Sequence, residues 1–324
     1  MNGRRHTLLA GLSGLALAGR ARAQAAWPDR PLRFVIGGAA GGASDIFLRM
    51  MEQRLRDRLG QPLVIDPRPG AGGMVGAEVA ARAAPDGYSF YINHIASHGI
   101  GPSLYRRLAF DPLRDLPGVA RIAKLPNVLI VKGDGPARTL AELVAFIRAY
   151  PGRANFASAG SGTSSHLSGV MFGARIGAEV THVPYRGTAP SMAAVLNGEV
   201  LFAIDNAPAS RQQVLAGMLR ALGVSTGERS PTMPEIPTLQ EQGVAEFDVA
   251  SWYGIAAPLG TPRPVVERLG AEIVAALGDP AVIKRFRDFG AEPAPLGPAA
   301  FDAFIAAEVA KWAPIVRASG VAVD

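Results

Sequence analysis

Apolar residues along the chain alternate between short runs typical of buried strands and longer stretches with helical spacing. The run at 31–37 predicts a strand, and the apolar positions of 44–59 lie on one face of a predicted helix. The same alternation continues through a strand at 62–67, a helix at 74–83 and a strand at 88–93. This βαβ pattern favours a parallel sheet with helices on both faces.

A second strand–helix series follows a long apolar stretch at 118–132, which we expect to pass between domains. Thr139 and Glu142 have the spacing of a capping box and predict the start of a helix at 139–149. Because the same βα order then resumes, the chain predicts a second α/β unit. Its further predicted strands are 154–158, 179–183, 199–205 and 220–226, and its further predicted helices are 163–176, 188–197 and 207–216.

The C-terminal part begins with a proline-rich connector at 230–238 and an apolar stretch at 248–258, predicted as a second crossing strand. Helices predicted at 262–277, 280–289 and 298–318 complete the chain. Two crossing strands between two α/β units predict a hinged pair of lobes around a central cleft. We expect lobe 1 to comprise 24–125 and 254–324, and lobe 2 to comprise 126–253.

The N-terminus has the features of a secretory signal peptide. Arg4 and Arg5 precede an apolar run at 8–18, and a small-x-small cleavage site ends at Ala23. The apolar run is too short to span a bilayer. We therefore expect export to the periplasm with cleavage after Ala23, by general secretion or through a twin-arginine signal.

Composition limits the chemistry of the exported chain. It has no cysteine, which excludes thiol nucleophiles and Cys-based metal sites. The predicted signal holds four arginines and no acidic residue, so its removal lowers the formal net charge from +6 to +2. No Lys/Arg cluster indicates a nucleic-acid partner. His94, His98 and His182 are too scattered to predict a metal site, and no motif predicts a cofactor.

The segment 34–45, "FVIGGAAGGASD", joins a strand to a helix through glycines and alanines. Gly37 and Gly42 have the spacing of a Walker A motif, but Ala43 replaces its lysine, which argues against a nucleotide. Free N–H groups at a helix start attract anions, and glycines let a ligand approach the backbone. The alternative is a tight turn whose glycines serve close packing.

A second loop of the same kind, "NFASAGSGTSSHLSG" at 155–169, lies in the other predicted lobe. One helix N-terminus per lobe predicts an anion site in the cleft between them. A carboxylate held there by about three charge-assisted hydrogen bonds, each worth roughly 1.5–3 kcal/mol, does not require an arginine. Another glycine turn, "GAGG" at 70–73, is interpreted as the start of a helix and as the rim of the cleft.

The order of motifs resembles the Bug family, the extracytoplasmic solute receptors of tripartite tricarboxylate transporters. The similarity covers nearly the whole exported chain, including "WPDRPLRFVIGGAAGGASD", "RPGAGGMVGAEVAARAAPDGYSF", "NFASAGSGTSSHLSGVMF" and "THVPYRGTAPSMAAVLNGEV". The resemblance implies a type II periplasmic-binding-protein fold. It also implies a small carboxylate ligand held between two facing loops, and a membrane permease as partner.

The first loop departs from the family pattern P-F-x-P-G-G-x-x-D. Gly41, Gly42 and Asp45 match this pattern, whereas Gly37, Gly38 and Ala40 replace its proline-aromatic part. The later matches to the family are Ser97, His98, the second glycine loop with His166, Tyr185, Gly187 and Asp205.

Motifs and resemblance together predict a ligand site built from both loops and from later strand ends. Its predicted residues are Ala40, Gly41, Gly42, Ser44 and Asp45; Asn93 and Ser97; Ser158, Gly160, Ser161, Gly162, Thr163 and His166; and Tyr185, Gly187 and Asp205.

Three of these residues have two interpretations each. His166 donates to a ligand carboxylate or bonds the loop backbone, and Tyr185 reaches the ligand or packs in the core. Asp205 binds an ammonium group of an amino-acid ligand or caps a helix.

The preferred function is a solute-binding receptor, expected to be a monomer and not an enzyme. One alternative is a serine hydrolase using Ser161 or Ser164, although neither serine lies in a G-x-S-x-G elbow. The other alternative is a sensory receptor with the same pocket.

Overall fold

A computed structural model describes residues 27–323. The predicted signal peptide, with its cleavage position after Ala23, lies outside the described residues. Within residues 27–323, no helix is both long enough and apolar enough to cross a bilayer.

Ten strands of the described chain join in one curled sheet. They are β1 (Leu32–Ile36), β2 (Leu63–Pro67), β3 (Ser89–His94), β4 (Gly118–Lys132), β5 (Asn155–Ser158), β6 (Thr181–Pro184), β7 (Phe202–Asn206), β8 (Leu219–Val224), β9 (Ala250–Ala256) and β10 (Glu292–Leu296).

Helices cover the sheet and follow the predicted order, with additions between β3 and β4. They are α1 (Ala43–Leu59), α2 (Met74–Ala81), α3 (Gly101–Leu104), α4 (Pro112–Asp115), α5 (Leu140–Ala149), α6 (Ser164–Ile176), α7 (Thr188–Asn197), α8 (Ala207–Leu215), α9 (Arg263–Leu277), α10 (Pro280–Phe289) and α11 (Pro298–Ser319). The sequence patterns did not predict α3, α4, β10 or the π-helical turn Ile95–Ile100.

The sheet has two parallel parts joined by antiparallel strands. Its order is β2-β1-β3-β9-β4-β7-β5-β6, and β8 and β10 also pair with β4. Strands β2, β1 and β3 are parallel to one another, as are β7, β5 and β6, whereas β4 and β9 run antiparallel to their neighbours. The predicted α/β fold with two lobes and crossing strands is therefore confirmed.

Strand β4 belongs to both parts of the sheet. Its first half pairs with β9, as in Lys124 opposite Trp252, and its second half pairs with β7, as in Val128 opposite Asp205. The change of partners after Pro126 supports the lobe bounds expected from the sequence, which stay a prediction.

Each lobe has its own apolar core, and α11 packs against the join. Phe34, Phe47 and Phe90 are fully buried in lobe 1, where Phe47 stacks on Phe286 at 5.2 Å between ring centroids. The core on the lobe 2 side includes Phe156, Phe172 and Phe202, and it extends to Trp312 of α11.

The buried carboxylate of Glu308 on α11 links this helix to the crossing strand β9. Its Oε2 accepts hydrogen bonds from the indole N–H of Trp252 at 2.9 Å and of Trp312 at 3.1 Å. The C-terminal helix is thereby anchored to a strand that crosses between the lobes.

Candidate functional site

A cleft of about 300 Å³ lies where the two parts of the sheet meet. Lobe 1 contributes the glycine turn 70–73, the start of the π-helical turn at 94–96, and Gly37. Lobe 2 contributes the start of α6 at 163–165, the end of β7 at 205–206, and single residues before α6 and in α7. The crossing strand β9 adds Ser251 and Tyr253. The two single residues of lobe 2 are Ala159, before α6, and Thr188, at the start of α7.

The start of α6 is the part of the cleft best suited to bind an anion. Thr163 is the N-cap, and its Oγ1 accepts from the His166 amide at 3.3 Å. The amides of Ser164 and Ser165 come next and have no acceptor among residues 27–323. Since both residues line the cleft, two free N–H groups and the positive end of the helix dipole face it.

Several other amides of the second loop are satisfied by the loop itself. The Gly160 amide donates to Ser158 Oγ at 3.1 Å, and the Gly162 amide donates to His166 Nδ1 at 3.1 Å. Ser165 Oγ accepts from the Ala159 amide at 3.0 Å. Of the six residues predicted from this loop, only Thr163 lines the cleft, although Ser164 and Ser165 join it there.

Gly162 faces the opposite lobe and not the cleft. A Cβ atom at this position would overlap the Leu104 side chain of α3, and the residue has a φ of +76°. Glycine is required here by the left-handed backbone and by close packing. Ser161 is exposed and also lies outside the cleft lining.

His166 bonds the loop backbone, which is one of the two roles that the sequence left open. Its ring stacks on His182 with centroids 3.8 Å apart, and His182 Nε2 lies 2.6 Å from Ser158 Oγ. Burial lowers the pKa of both histidines to about 4. Accepting from Gly162 requires an unprotonated Nδ1, in agreement with a neutral ring.

Of the first loop, 34–45, only Gly37 lines the cleft, and none of the loop's predicted ligand residues does. The Gly41 amide donates to Asp45 Oδ2 at 2.7 Å, and Asp45 Oδ1 lies 2.8 Å from Arg49 Nε. The Asp45 carboxylate thus occupies an amide that was predicted to bind a ligand. The residues placed outside the lining are Ala40, Gly41, Gly42, Ser44 and Asp45.

The glycine turn 70–73 lines the cleft itself, which corrects its interpretation as a rim. Ala71 has a φ of +47°, a left-handed conformation that is strained for alanine, and its carbonyl accepts from Tyr105 Oη at 2.7 Å. A Cβ on Gly37 would lie 2.5 Å from Gly73 Cα, so the two backbones touch. The repeated glycines of "GAGG" were the sequence feature that could have indicated a cleft-lining turn.

The end of β3 directs His94 into the cleft and not Asn93 or Ser97. Both predicted residues are fully buried, and Ser97 Oγ donates to the His94 carbonyl at 3.1 Å. The π-helical turn after β3 shifts the register of this segment, which strand spacing alone does not indicate. Burial lowers the pKa of His94 to about 4.

Tyr185 and Gly187 lie beside the cleft without lining it. The Tyr185 amide donates to the Ser158 carbonyl at 3.0 Å, and the Gly187 amide donates to the Ala159 carbonyl at 3.1 Å. Both residues therefore brace the second loop. The next residue, Thr188, reaches the cleft at the start of α7.

Asp205 and Asn206 form one wall of the cleft at the end of β7. Asp205 is 2% exposed; its Oδ1 accepts from the Asn206 amide at 2.7 Å, and its Oδ2 has no hydrogen-bond partner in the described chain. Burial raises the pKa of Asp205 to about 6, while the Asn206 amide and the nearby Thr188 side chain act in the opposite direction. The N-cap of α8 is Asn206, so Asp205 does not serve as the cap residue.

Hydroxyl groups tie the start of α6 to both crossing strands. Ser164 Oγ lies 3.1 Å from Ser251 Oγ on β9, which donates to Asn127 Oδ1 on β4 at 3.3 Å. The Asn127 amide in turn donates to Ser225 Oγ at 3.0 Å. These hydrogen bonds join the start of α6 to both crossing strands.

The serine-hydrolase alternative and a metal site each require a specific cluster of side chains. Among residues 27–323, neither Ser161 nor Ser164 hydrogen-bonds a histidine side chain, and Ser164 Oγ bonds Ser251 Oγ instead. The described chain also has no group of three or more His, Cys, Asp or Glu side chains arranged to hold a metal ion.

A larger groove of about 620 Å³ is lined in part by residues of both crossing strands. Its lining includes Lys124, Arg229, Asp248 and Glu292, which carry charges of both signs. The glycine loops and the free amides of α6 are not part of it. Volume alone therefore does not identify the site.

Two α/β lobes, crossing strands and an interlobe cleft define the class of two-lobe periplasmic binding proteins. Residues 47–321 match the family described as "Tripartite tricarboxylate transporter family receptor". The chain belongs to this family, and it is a solute-binding receptor.

Similar proteins agree with this assignment. BugT of Bordetella pertussis is 34% identical over 295 residues, covering 91% of this chain and 90% of BugT. Among solved structures, R. palustris Rpa4515 with adipate has a TM-score of 0.83 at 35% identity, covering 91% of this chain and 99% of that one. MatC from Rhodopseudomonas palustris with bound malate has a TM-score of 0.78 at 31% identity, covering 90% and 100%. The resemblance to the Bug family is confirmed.

Proposed function

We propose that this receptor captures a small carboxylate between its lobes and delivers it to the membrane permease of a tripartite tricarboxylate-type transporter. The observation that carries the proposal is the pair of unpartnered Ser164 and Ser165 amides at the start of α6, inside the cleft. Similar receptors hold adipate and malate, which are both dicarboxylates. The sixteen residues predicted from the sequence stay candidates for contact, and Thr163 and Asp205 are the two that line the cleft.

Ligand capture closes the two lobes by bending the crossing strands. In the closed form, fixed amide dipoles replace the water around the ligand carboxylate. No lysine or arginine lines the cleft in the described chain, so backbone and hydroxyl donors supply the attraction. About three charge-assisted hydrogen bonds of roughly 1.5–3 kcal/mol each approach the ~8 kcal/mol of a micromolar complex.

The proposal places the mature protein in the periplasm as a monomer, after cleavage behind Ala23. The site has a binding role and no catalytic step is proposed. The permease would recognise the closed form.

A thermal-unfolding screen tests the proposed function. We expect di- and tricarboxylates, amino acids or aromatic acids to raise the melting temperature, whereas the corresponding neutral amides should not. A ligand at a hundredfold excess over its Kd stabilises the folded state by about 2.7 kcal/mol, which gives a measurable shift. Equal shifts with acids and neutral amides would contradict the anion site.

A further inference from the structure

The Asp205–Asn206 wall presents two oxygen atoms that the described chain leaves without a partner. Asp205 Oδ2 and Asn206 Oδ1 are both buried, and both residues line the cleft. Buried acceptors are normally paired, because an unpaired one loses its hydration without compensation. Their position in the cleft indicates that a ligand supplies the missing donor.

The groups around Asp205 offer hydroxyl donors but no positive charge. The Thr188 side chain opposes the rise in the Asp205 pKa but makes no hydrogen bond to Oδ2. Burial first, and then the charge of Asp205, raise the pKa of Tyr253 to about 12. The histidine in the cleft lining is His94, whose ring centroid lies 5.7 Å from that of Tyr253. Burial keeps His94 neutral at pH 7, since it lowers the pKa to about 4. The carboxylate of Asp205 is therefore uncompensated.

We propose that the ligand is an aminocarboxylate whose ammonium group binds Asp205 Oδ2 and Asn206 Oδ1. The ligand's carboxylate binds the amides of Ser164 and Ser165, as in the proposed function on which this inference rests. An ammonium group fits the pair better than a hydroxyl group, because it has three N–H donors and a positive charge. Asp205 then selects amino acids over plain carboxylates of the same length.

Matched ligand pairs and the isosteric variant Asp205→Asn test the inference. Titration calorimetry would compare aspartate with succinate, glutamate with glutarate, 2-aminoadipate with adipate, and phenylalanine with 3-phenylpropionate. In the unaltered protein, one amino acid should bind about tenfold to hundredfold more tightly than its deaminated partner. Asp205→Asn should remove that preference, because it replaces Oδ2 with an amide that donates.

Asp302→Asn is the matched control. Asp302 lies outside the cleft, and its Oδ1 accepts from the Gly118 amide at 2.7 Å, a bond that asparagine retains. This variant should keep the ligand preference, and circular dichroism would verify the fold of both variants.

Two results would overturn the inference and leave the carboxylate receptor intact. One is equal affinity for both members of every pair, unaltered in Asp205→Asn. The other is a preference for the plain dicarboxylate that Asp205→Asn strengthens, since Asp205 would then act as a protonated donor to a ligand carboxylate. If none of these acids binds and neutral amides do, the proposed function and this inference both fail.

Discussion

At the scale of residues, a few side chains decide which backbone amides are available to a ligand. Asp45 occupies the amide of Gly41, and His166 occupies that of Gly162. The amides of Ser164 and Ser165 stay free at the start of α6. A glycine-rich loop is therefore an anion site only where no side chain of the same loop accepts first.

The variant Ser164→Pro should weaken carboxylate binding by about tenfold to a hundredfold. Ser164 is the first residue of α6, where proline fits the helix but has no N–H to donate. The lost charge-assisted hydrogen bond is worth about 1.5–3 kcal/mol. Ser164→Ala is the control, since it removes the hydroxyl that contacts Ser251 and keeps the amide. Equal affinities of the two variants in calorimetry would contradict the assignment of this amide.

The variant His166→Ala should lower the free energy of unfolding by at least about 1–3 kcal/mol. It leaves the buried Gly162 amide without its acceptor, and an unsatisfied buried donor carries a penalty of that size. His166→Asn keeps an acceptor near the position of Nδ1 and should be milder. Urea denaturation would measure both, and a larger loss in His166→Asn would contradict this role of Nδ1.

At the scale of elements, helix starts follow local sequence rules that the structure bears out. Thr139 is the N-cap of α5, and its Oγ1 accepts from the Glu142 amide at 3.1 Å. Glu142 Oε2 accepts from the amide of Arg138 at 2.6 Å. In the usual capping box this acceptor binds the amide of the N-cap residue itself, here Thr139. The predicted cap is confirmed with this difference.

The variant Thr139→Ala should destabilise the protein by about 1 kcal/mol, because the Glu142 amide loses its capping partner. Thr139→Ser retains the hydroxyl and should stay near the unaltered protein. The change in the urea midpoint at a constant slope would measure this difference. An unchanged midpoint in Thr139→Ala would show that α5 does not depend on its cap.

The elements that the sequence patterns missed are those with unusual backbone geometry. The π-helical turn Ile95–Ile100 has no simple apolar spacing, and α3 and α4 have only four residues each. The turn 70–73 has a positive φ at all four positions, which an alanine at position 71 does not indicate in the sequence. The start of the π-helical turn and the turn 70–73 both line the cleft, where local rules compete with packing from the other elements.

At the scale of the whole molecule, the buried histidines make stability depend on pH. Burial lowers the pKa of His94, His166 and His182 to about 4 and that of His98 to about 3, from an ordinary value of 6.5. Between pH 6.5 and 4 the unfolded chain therefore binds more protons than the folded chain. The free energy of unfolding should fall as the pH falls through this range.

Asp205 acts in the opposite direction, because its pKa is raised to about 6 from 3.8 and the folded chain binds that proton first. Four histidines outweigh this carboxyl, so the net effect is a loss of stability in acid. Urea denaturation at pH 7 and pH 4.5 would measure it. The variant His98→Asn should reduce the difference between the two pH values, and a protein more stable at pH 4.5 would contradict the prediction.

Much of this protein follows from the sequence itself. The spacing of apolar residues determines the order of strands and helices, and the long stretch at 118–132 is the crossing strand β4. Strand–helix joins rich in glycine indicate anion binding because helix N-termini have free amides. The order of motifs was enough to assign the receptor family.

Tertiary structure alone decided the composition of the cleft. Gly37 meets the turn 70–73, and α6 meets Ser251 of β9, through contacts between distant parts of the chain. The free amides are those left after Asp45 and His166 fold back onto their own loops. Local spacing cannot specify these contacts, because each one depends on where the packing of both lobes places a side chain relative to a backbone amide.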